Sequence, residues 1–508
     1  MSLMSGAERA FAGSIVRLSY ENPFLPGRIA LERAALGDEF VESAPVWTVR
    51  ADRDVQNPNI ARLRARVERL ARTIRERLVA GSAASDADRL LYEDVVLYLL
   101  YSRYEDDWWA LITSAKGDRG NCWERFRLDV EHWLHVPGVR PPELHETAHL
   151  FAALFQVRRA FHHIFWHVIG GSMPMARLRA AVWESIFTYD MRRYRRALWN
   201  RMADVTTLVV GPSGTGKELV ARAIAWSRYI PFDSKRGKFT AHFVDLLHPL
   251  NLSALAPTLV ESELFGHRRG AFTGAVQDRT GWLEECTALG TVFLDEVGDV
   301  DVGIQVKLLR VLQSRTFERL GDTTPRQFRG KIIAATNRDL AAEIQAGRFR
   351  ADFYYRLCAD IVATPPLAEQ LRDAPDELAN LVLFLAHRIV GEPEADALAE
   401  EVESWIRTHL GRDYPWPGNV RELEQCMRNV MIRGEYRPQA LRPSAGARAT
   451  LGRDTMAGAL TADQLLGRYC TLVYAQTGSY LETARRLGVD RRTVKSKVDL
   501  EQVEAYRL

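Results

Sequence analysis

The segment from Leu208 to Glu218 constrains the fold of this chain more than any other part of the sequence. It reads as a short apolar strand, a glycine-rich turn and a helix start, and it contains the pattern Gly-x4-Gly-Lys. Glycines at such a turn let backbone N–H groups converge on phosphate oxygens, and Lys217 adds a charge near the β- and γ-phosphates. The alternative is a strand-to-helix turn without a ligand. The predicted ATP-binding residues of the loop are Gly211, Pro212, Ser213, Gly214, Thr215, Gly216, Lys217 and Glu218.

A second apolar strand, Thr291 to Glu296, ends in two carboxylates about 80 residues after this loop. Parallel strands that end in acids place them beside the phosphates of a bound nucleotide. Asp295 suits the Mg²⁺ that accompanies ATP, and Glu296 suits polarising the attacking water. Glu218 replaces the Ser or Thr that usually follows the loop lysine, so the magnesium-binding hydroxyl of that motif is missing.

Length and composition limit the number of domains, the cellular location and the binding partners expected for the chain. A chain of 508 residues is too long for one hydrophobic core, and its length favours roughly three domains. No apolar stretch approaches the roughly 18 residues of a membrane span, and the N-terminus lacks a secretory pattern. These two features predict a cytoplasmic protein, and the five cysteines, scattered without Cys-x-x-Cys spacing, predict reduced thiols. A net charge of +3 is too small to indicate nucleic-acid binding by itself.

Patterning along the chain predicts five regions. Residues 1–168 read as a mainly helical N-terminal domain, for example over Asn59–Val79 and Asp86–Ala110. Short strands then alternate with helices in residues 169–364, and helices alone follow in residues 365–432. A linker over residues 433–460 precedes a helical end at residues 461–508. The predicted fold class is an α/β ATPase with a parallel sheet and a helical lid, flanked by two α-helical domains.

The stretch from Glu261 to Ala275 resembles the surface loop by which bacterial enhancer-binding proteins of the sigma-54 activator family grip the sigma factor. Residues 169 to about 432 resemble the AAA+ module of that family, with its motifs in the same order. The resemblance implies an ATPase that uses ATP and Mg²⁺, assembles into a homo-oligomeric ring with six subunits, and opens promoters with sigma-54 RNA polymerase. The implied sigma-54 contacts are Gly270, Ala271, Phe272, Thr273, Gly274 and Ala275.

The same resemblance assigns further residues to ATP hydrolysis. Thr336 and Asn337 correspond to the polar strand tip that senses the γ-phosphate, and Arg421 corresponds to a lid arginine that contacts phosphate. Arg350 and Arg356 correspond to arginines that reach into the neighbouring subunit, where guanidinium groups suit transition-state charge.

Asn251 corresponds to an asparagine that restrains the catalytic glutamate in the same family. An amide suits that task because it can hydrogen-bond a carboxylate without changing its charge. The preceding stretch, Phe239–Leu250, does not match the usual family spacing.

Near the C-terminus, residues 479–497 read as a helix, a glycine turn and a second helix. Leu481, Ala484, Leu487, Val489 and Val494 are predicted to hold the two helices together. The segment resembles the Fis-type helix-turn-helix that ends many sigma-54 activators, which implies binding to an upstream activating sequence in double-stranded DNA. A plain solvated surface is the alternative. The predicted DNA contacts are Arg491, Arg492, Thr493, Lys495 and Lys497.

The N-terminal region contains one motif with possible chemistry of its own. His145-Glu-Thr-Ala-His149 fits His-Glu-x-x-His, which on a helix sets two imidazoles on one face for zinc. No third ligand lies at a familiar spacing, so a metal sensor or metalloenzyme is a minor alternative function. A general AAA+ remodelling ATPase that does not act on sigma-54 is another. In the family, this region usually carries a regulatory domain.

Overall fold

The computed structural model describes residues 3–42, 57–113, 121–438, 447–456, 458–500 and 502–506. These residues form two compact units, Met1–Glu435 and Tyr436–Leu508. In the described part of the chain, no helix is long and apolar enough to cross a membrane.

The first unit begins with a helical region, as the sequence predicts. Its central helices bury one apolar face each around Trp108, Phe126 and Phe151, whose rings contact one another. The helices are α1 (Gly6–Tyr20), α2 (Gly27–Leu36), α3 (Pro58–Val79), α4 (Asp86–Thr113), α5 (Cys122–Leu134) and α6 (Leu144–His167).

A five-stranded parallel sheet lies at the centre of the α/β part, and its strand order is β4-β5-β8-β1-β9. The inner strands are buried and apolar, as expected for a parallel sheet covered on both faces. The sheet strands are β1 (Thr207–Val210), β4 (Leu247–Asn251), β5 (Thr291–Asp295), β8 (Lys331–Thr336) and β9 (Asp360–Ala363). Two antiparallel pairs join β2 (Phe232–Asp233) to β3 (Lys238–Phe239) and β6 (Thr316–Phe317) to β7 (Arg326–Gln327).

Helices surround this sheet, and a further group of helices follows it. The helices of the α/β part are α7 (Met173–Phe187), α8 (Met191–Arg193), α9 (Lys217–Trp226), α10 (Pro257–Phe265), α11 (Trp282–Glu285), α12 (Val302–Ser314), α13 (Leu340–Gln345) and α14 (Ala351–Leu357). The lid helices are α15 (Leu367–Asp373), α16 (Glu377–Val390), α17 (Glu392–His409) and α18 (Asn419–Arg433). The predicted α/β fold with a helical lid is confirmed.

Helix α6 belongs to two hydrophobic cores at once. Its N-terminal half packs in the core of the helical region, through Phe151 and Phe155. Ala160 and Ile164 pack in the core beneath the sheet, together with α7 and α9. The β2–β3 hairpin strengthens the junction, because the Phe239 ring stacks on Phe155 with centroids 4.3 Å apart. The helical region and the ATPase part therefore share one continuous interior.

Polar groups inside this junction are paired across it. Gln156 Nε2 donates to the Ser227 carbonyl at 2.9 Å, and the buried Arg159 donates to the carbonyl of Arg228. Both carbonyls lie just after α9, the helix that follows the phosphate loop. These bonds therefore join α6 to the end of α9 that lies opposite the phosphate loop.

The second unit contains the predicted helix-turn-helix. Its helices are α19 (Ala447–Met456), α20 (Ala462–Thr477), α21 (Tyr480–Leu487), α22 (Arg491–Lys497) and α23 (Val503–Tyr506). Ala484 and Val494 are buried between them, but Leu481 is 67% exposed, so its predicted packing role was wrong. Leu481 is on the outer face of α21, because Thr483 and Ala484 occupy the inner face. Helix α19 lies inside the stretch predicted to be a linker.

Burial lowers the pKa of three histidines near the end of α6, His162, His163 and His167. The pKa of His163 is lowered to about 2, mainly by burial, with smaller contributions from His162, Arg159 and His167. Its ring contacts Trp226 of α9, and among the described residues its Nε2 has no hydrogen-bond partner. Protonation would therefore place an unsolvated charge in this interior.

We expect the first unit to lose stability as the pH falls below about 6.5, where the unfolded imidazole gains a proton and folded His163 does not. His163 alone contributes a loss of about 1.4 kcal/mol between pH 7.5 and 5.5. Replacing it with Phe keeps an aromatic ring and removes this titration. Thermal unfolding at several pH values measures the difference, and an equally steep pH dependence in His163→Phe would contradict the assignment.

Candidate functional site

The predicted nucleotide-binding residues meet at the C-terminal edge of the parallel sheet. The phosphate loop follows β1, Asp295 ends β5 with Glu296 directly after it, and Thr336 ends β8, which lies between those two strands. The sheet thus brings together three motifs that are spread over more than a hundred residues of sequence. In open α/β sheets this edge is the usual position of a ligand.

Lys217 is held inside the phosphate loop. Its Nζ donates to the carbonyl oxygens of Gly211 at 3.1 Å and Pro212 at 3.2 Å. Burial lowers the pKa of Lys217, while the carboxylates of Glu296 and Asp295 oppose that shift. The ammonium group therefore lies within the field of both acids.

The two acids differ in their surroundings. Burial is the main cause of a raised pKa for Asp295, and the adjacent charge of Glu296 adds to it. Glu296 has a left-handed backbone, with φ 54° and ψ 47°, which is unfavourable for a residue with a side chain. Its Oε2 accepts a hydrogen bond from the Asn337 backbone N–H at 3.3 Å. The β8 tip therefore orients the carboxylate predicted to act on water.

Thr336 lies beneath this arrangement. Its hydroxyl accepts from the backbone N–H of Arg338 at 3.1 Å and is fully buried. A Cβ on Gly298 would lie only 2.7 Å from that hydroxyl. The strand tip is consequently close-packed against the turn that follows Glu296.

Asn251 lies next to the acids, but its side chain faces another partner. The β4–β5 register pairs its Cα with that of Asp295. Its Oδ1 accepts from the Ser253 N–H at 3.0 Å and from the Ser253 hydroxyl at 2.9 Å. Within the described residues no hydrogen bond joins Asn251 to Glu296, so the predicted restraint of the glutamate is absent from this conformation.

The lid contacts the phosphate loop directly. Asn419 Nδ2 donates to the Ser213 carbonyl at 2.9 Å, and the Val420 N–H donates to the Gly214 carbonyl at 3.1 Å. Arg421 donates to the Ser213 hydroxyl at 3.1 Å. A Cβ on Gly214 would lie 2.2 Å from the Gly418 carbonyl, so only glycine permits this approach. Arg421 is thus brought to the predicted phosphate position.

The cleft beside the loop has a volume of about 340 Å³ and includes a wall that the sequence did not predict. This wall is largely apolar. Its residues are His167, Val168, Ile169, Met175, Leu178, Leu381, Phe384, Leu385 and Arg388. They come from the end of α6, the start of α7 and the lid helix α16, and no local motif connects them. Such a surface suits the flat base of a nucleotide.

The two candidate arginines on and beside α14 are exposed and lie away from this cleft. Arg350 forms a two-pronged ion pair with Asp352, with N–O distances of 3.0 and 2.7 Å. Arg356 is exposed and has no ion pair within the described part of the chain. Neither contacts the chain's own phosphate loop, as expected for groups that would serve a neighbouring subunit.

The Gly270–Ala275 loop projects between α10 and α11. It is closed by a hydrogen bond from the Gly270 N–H to the Ala275 carbonyl at 2.9 Å. Both Gly270 (φ 82°) and Gly274 (φ 101°) have backbones that favour glycine. Phe272 is half-buried against His267, with ring centroids 4.9 Å apart, and Thr273 is exposed at the tip.

A second loop supports the base of the first. Leu320 donates to the Gly266 carbonyl at 3.0 Å and accepts from the Arg268 N–H at 2.9 Å. Arg268 also bridges Asp278 of the first loop and Asp322 of the second. Hydrogen bonds and ion pairs therefore join the base of the first loop to the second loop.

In the second unit, the predicted DNA contacts fall into two groups. Arg491, Arg492 and Lys495 are exposed on α22. Thr493 and Lys497 are half-buried, and Lys497 forms an ion pair with Asp463 of α20. The three exposed cations are therefore the ones available to a phosphate backbone.

The geometry disfavours the metal interpretation of the His145–His149 pair. His149 has both ring nitrogens engaged, with the Tyr229 hydroxyl at 2.8 Å and the Arg195 carbonyl at 3.0 Å. The His145 side chain is 76% exposed and lies 3.3 Å from Glu143. Within the described residues no group of three metal-ligand side chains is assembled. The motif instead packs α6 against the ATPase part.

Comparison with known proteins gives matches to the ATPase part. Residues 189–362 match the Sigma-54 interaction domain family. The chain is 45% identical over 241 residues to the Nif-specific regulatory protein of Azotobacter vinelandii, covering 47% of this chain and 41% of the relative. It is 38% identical over 315 residues to the transcriptional regulatory protein ZraR of Klebsiella oxytoca, covering 60% of this chain and 66% of the relative.

A third relative extends this set. The DNA-binding transcriptional regulator NtrC of Bradyrhizobium sp. (strain RP501 Parasponia) is 34% identical over 341 residues, covering 60% of this chain and 66% of the relative. The chain therefore spans between two fifths and two thirds of the length of these relatives.

Proposed function

We propose a function from one premise: the chain belongs to the family of sigma-54-dependent transcriptional activators. On that premise, it hydrolyses ATP and uses the cycle to remodel sigma-54 RNA polymerase from closed to open promoter complexes. The observation that carries the proposal is the convergence of the phosphate loop, the two acids and Arg421 at one sheet edge, in a chain that also carries an exposed loop resembling the family's sigma-binding sequence.

The site supports ATP hydrolysis because it contains residues suited to each part of the reaction: binding the phosphates, holding Mg²⁺ and activating the attacking water. Loop N–H groups and Lys217 would bind the phosphates, and Glu296, oriented by the Asn337 N–H, would accept a proton from the attacking water. Asp295 would hold the Mg²⁺ that accompanies ATP and neutralises phosphate charge. Arg421 would report the phosphate state to the lid, since it already bonds to Ser213.

The exposed arginines support assembly into a ring, which we propose to be hexameric. A transition state that develops charge on the transferred phosphoryl group is stabilised by a guanidinium from outside the subunit. Arg356 is exposed and unpaired among the described residues, whereas Arg350 must first leave Asp352. Arg356 is therefore the arginine that needs less rearrangement to enter a neighbour's site.

We further propose that the second unit binds upstream DNA through α22. Arg491, Arg492 and Lys495 are presented together on its exposed side, where they suit phosphate and base contacts. DNA binding at a distance from the promoter would raise the local concentration of the ATPase near polymerase. A cytoplasmic location fits this role.

Binding to purified sigma-54 in the presence of ADP and an aluminium fluoride transition-state mimic tests the proposed target. We expect a stable complex with the mimic and none with ADP alone, because the loop tip must be held in its extended form. A chain that hydrolyses ATP but binds no sigma-54 in either state would favour the alternative, a general AAA+ remodelling ATPase.

A further inference from the structure

A second cavity lies in the first unit, away from the phosphate loop. Its volume is about 250 Å³, just below the roughly 300 to 1,000 Å³ of typical ligand pockets. Helices α1, α4, α6 and α7 and the segment after α7 form its walls. A third of the lining residues are aromatic, and they include Tyr98, Tyr101, Phe161, Phe165, Trp183 and Phe187. This size and lining suit one small molecule with an apolar body.

Two hydroxyl groups at this cavity are available to a ligand. Within the described residues, neither Tyr98 nor Tyr101 makes a side-chain hydrogen bond, and both residues are half-buried in the wall. Burial raises the pKa of Tyr98 to about 12 and raises that of Tyr101 above its usual value. Both phenols therefore remain protonated and can donate a hydrogen bond to a ligand.

Most charged residues of the lining have an ion-pair partner. Asp94 pairs with Arg192, Arg28 pairs with Glu32, and Glu105 pairs with Arg64 and, at 4.0 Å, with Arg158. The Glu21 carboxylate lies against the first residue of α2, where a helix N-terminus favours negative charge.

Arg195 is the remaining cation of the lining, and the carboxylate of Glu93 lies within the range of its charge. In the described part of the chain its guanidinium has no ion-pair partner, although it is close enough to Tyr20 to lower the pKa of that phenol. It lies in a five-residue π-helical turn, Tyr194–Leu198, a rare backbone form that is frequent at functional sites. A ligand with an anionic end would satisfy Arg195 and accept from the phenols.

The cavity and the nucleotide cleft share two helices. On α6, Phe161 and Phe165 line the cavity and His167 lines the cleft. On α7 the order is reversed, because Met175 and Leu178 line the cleft and Trp183 lines the cavity. Any shift of these helices on filling the cavity is therefore transmitted to the wall of the nucleotide site.

We propose that this cavity binds a small organic acid, a carboxylate on an apolar or aromatic body, and that its occupancy changes the affinity of the nucleotide cleft. The binding half of this inference is independent of the proposed function. The coupling half rests on it, because it requires a working nucleotide site. By thermodynamic linkage, nucleotide must then change the affinity for the acid by the same factor.

Three probes of equal size test the binding half on the full chain: benzoate, benzyl alcohol and benzylamine. We expect benzoate to raise the unfolding temperature most and benzylamine least. Arg195→Gln should weaken benzoate binding by about tenfold or more, since it removes a charged hydrogen-bond donor. The neighbouring Arg196→Gln is the matched control, because Arg196 is exposed. Tyr101→Phe should weaken benzoate by a smaller factor.

The coupling half is measured as the affinity for a fluorescent ATP analogue with and without saturating benzoate. We expect a change of about fivefold or more in the wild-type chain and in Arg196→Gln, and none in Arg195→Gln. Failure of all three probes to bind, or benzoate binding unchanged in Arg195→Gln and Tyr101→Phe, would overturn the cavity assignment. Benzoate binding without any effect on the analogue would overturn the coupling alone.

Discussion

Glu296→Gln is expected to lower ATP turnover by roughly 10² to 10⁴-fold while ATP binding stays within about threefold. The amide keeps the shape and can still accept from the Asn337 N–H, but it cannot take a proton from water. Phosphate contacts come from the loop and Lys217, which this change leaves in place. Steady-state phosphate release and binding of a fluorescent ATP analogue measure the two effects separately.

The matched control is Glu285→Gln in the same subdomain. Glu285 is exposed on α11 and has no ion pair among the described residues, so the same chemical change there should leave turnover within about twofold. Normal hydrolysis by Glu296→Gln would refute its role as the group that activates water. Loss of both binding and hydrolysis would instead indicate that the strained turn at Glu296 had collapsed.

Thr273→Ala is expected to abolish open-complex formation, by at least about 100-fold, while ATP turnover stays within about twofold. Thr273 is exposed at the loop tip, and the described part of the site places no loop residue against the phosphate-binding groups. The change deletes a hydroxyl from the surface proposed to grip sigma-54 and leaves the closing Gly270–Ala275 hydrogen bond intact. Promoter opening and phosphate release are measured on the same preparation.

Thr287→Ala provides the comparison, since Thr287 is an exposed residue in a turn of the same subdomain. It should behave as wild type in both assays. Full promoter opening by Thr273→Ala would remove the loop from the proposed mechanism. Parallel loss of opening and hydrolysis would mean that the loop contributes to the ATPase rather than to the target.

The candidate nucleotide-site residues, which meet at one edge of the sheet, could be predicted from the sequence because each of their motifs is local. The phosphate loop needs a strand, glycines and a helix start in immediate succession, and Asp295–Glu296 need only an apolar strand before them. Because the strands are parallel, their carboxyl ends lie at the same edge of the sheet, and the motifs that follow them lie close together. The Arg421 position followed from a turn and helix whose residues are also adjacent in sequence.

Features formed by residues that are far apart in the sequence could not be predicted from local motifs. The base-side wall of the cleft combines α6, α7 and α16, which lie far apart in the chain. Asn251 illustrates a different limit: its position beside Asp295 agrees with expectation, but its amide oxygen is taken by the local Ser253 turn. Local side-chain hydrogen bonds compete with long-range ones, and spacing does not reveal which prevails.

The N-terminal region shows the largest gap between pattern and structure. His145 and His149 have metal-ligand spacing, yet His149 bonds to Tyr229 and the Arg195 carbonyl across the junction with the ATPase part. Helical periodicity predicted α3 and α4, but it carried no sign that α6 would enter both cores. Leu481 likewise has a helical spacing that predicts a buried position, but it is exposed in the structure.

The most direct test of the central claim is promoter opening by purified full-length protein with sigma-54 RNA polymerase, followed by permanganate reactivity of unpaired thymines. Under conditions in which the chain turns over ATP, we predict opening with ATP, none with a non-hydrolysable analogue, and none when the polymerase carries a primary sigma factor. Absence of opening with ATP while hydrolysis proceeds, or equal opening with the analogue, would contradict an ATP-driven activator of sigma-54 polymerase.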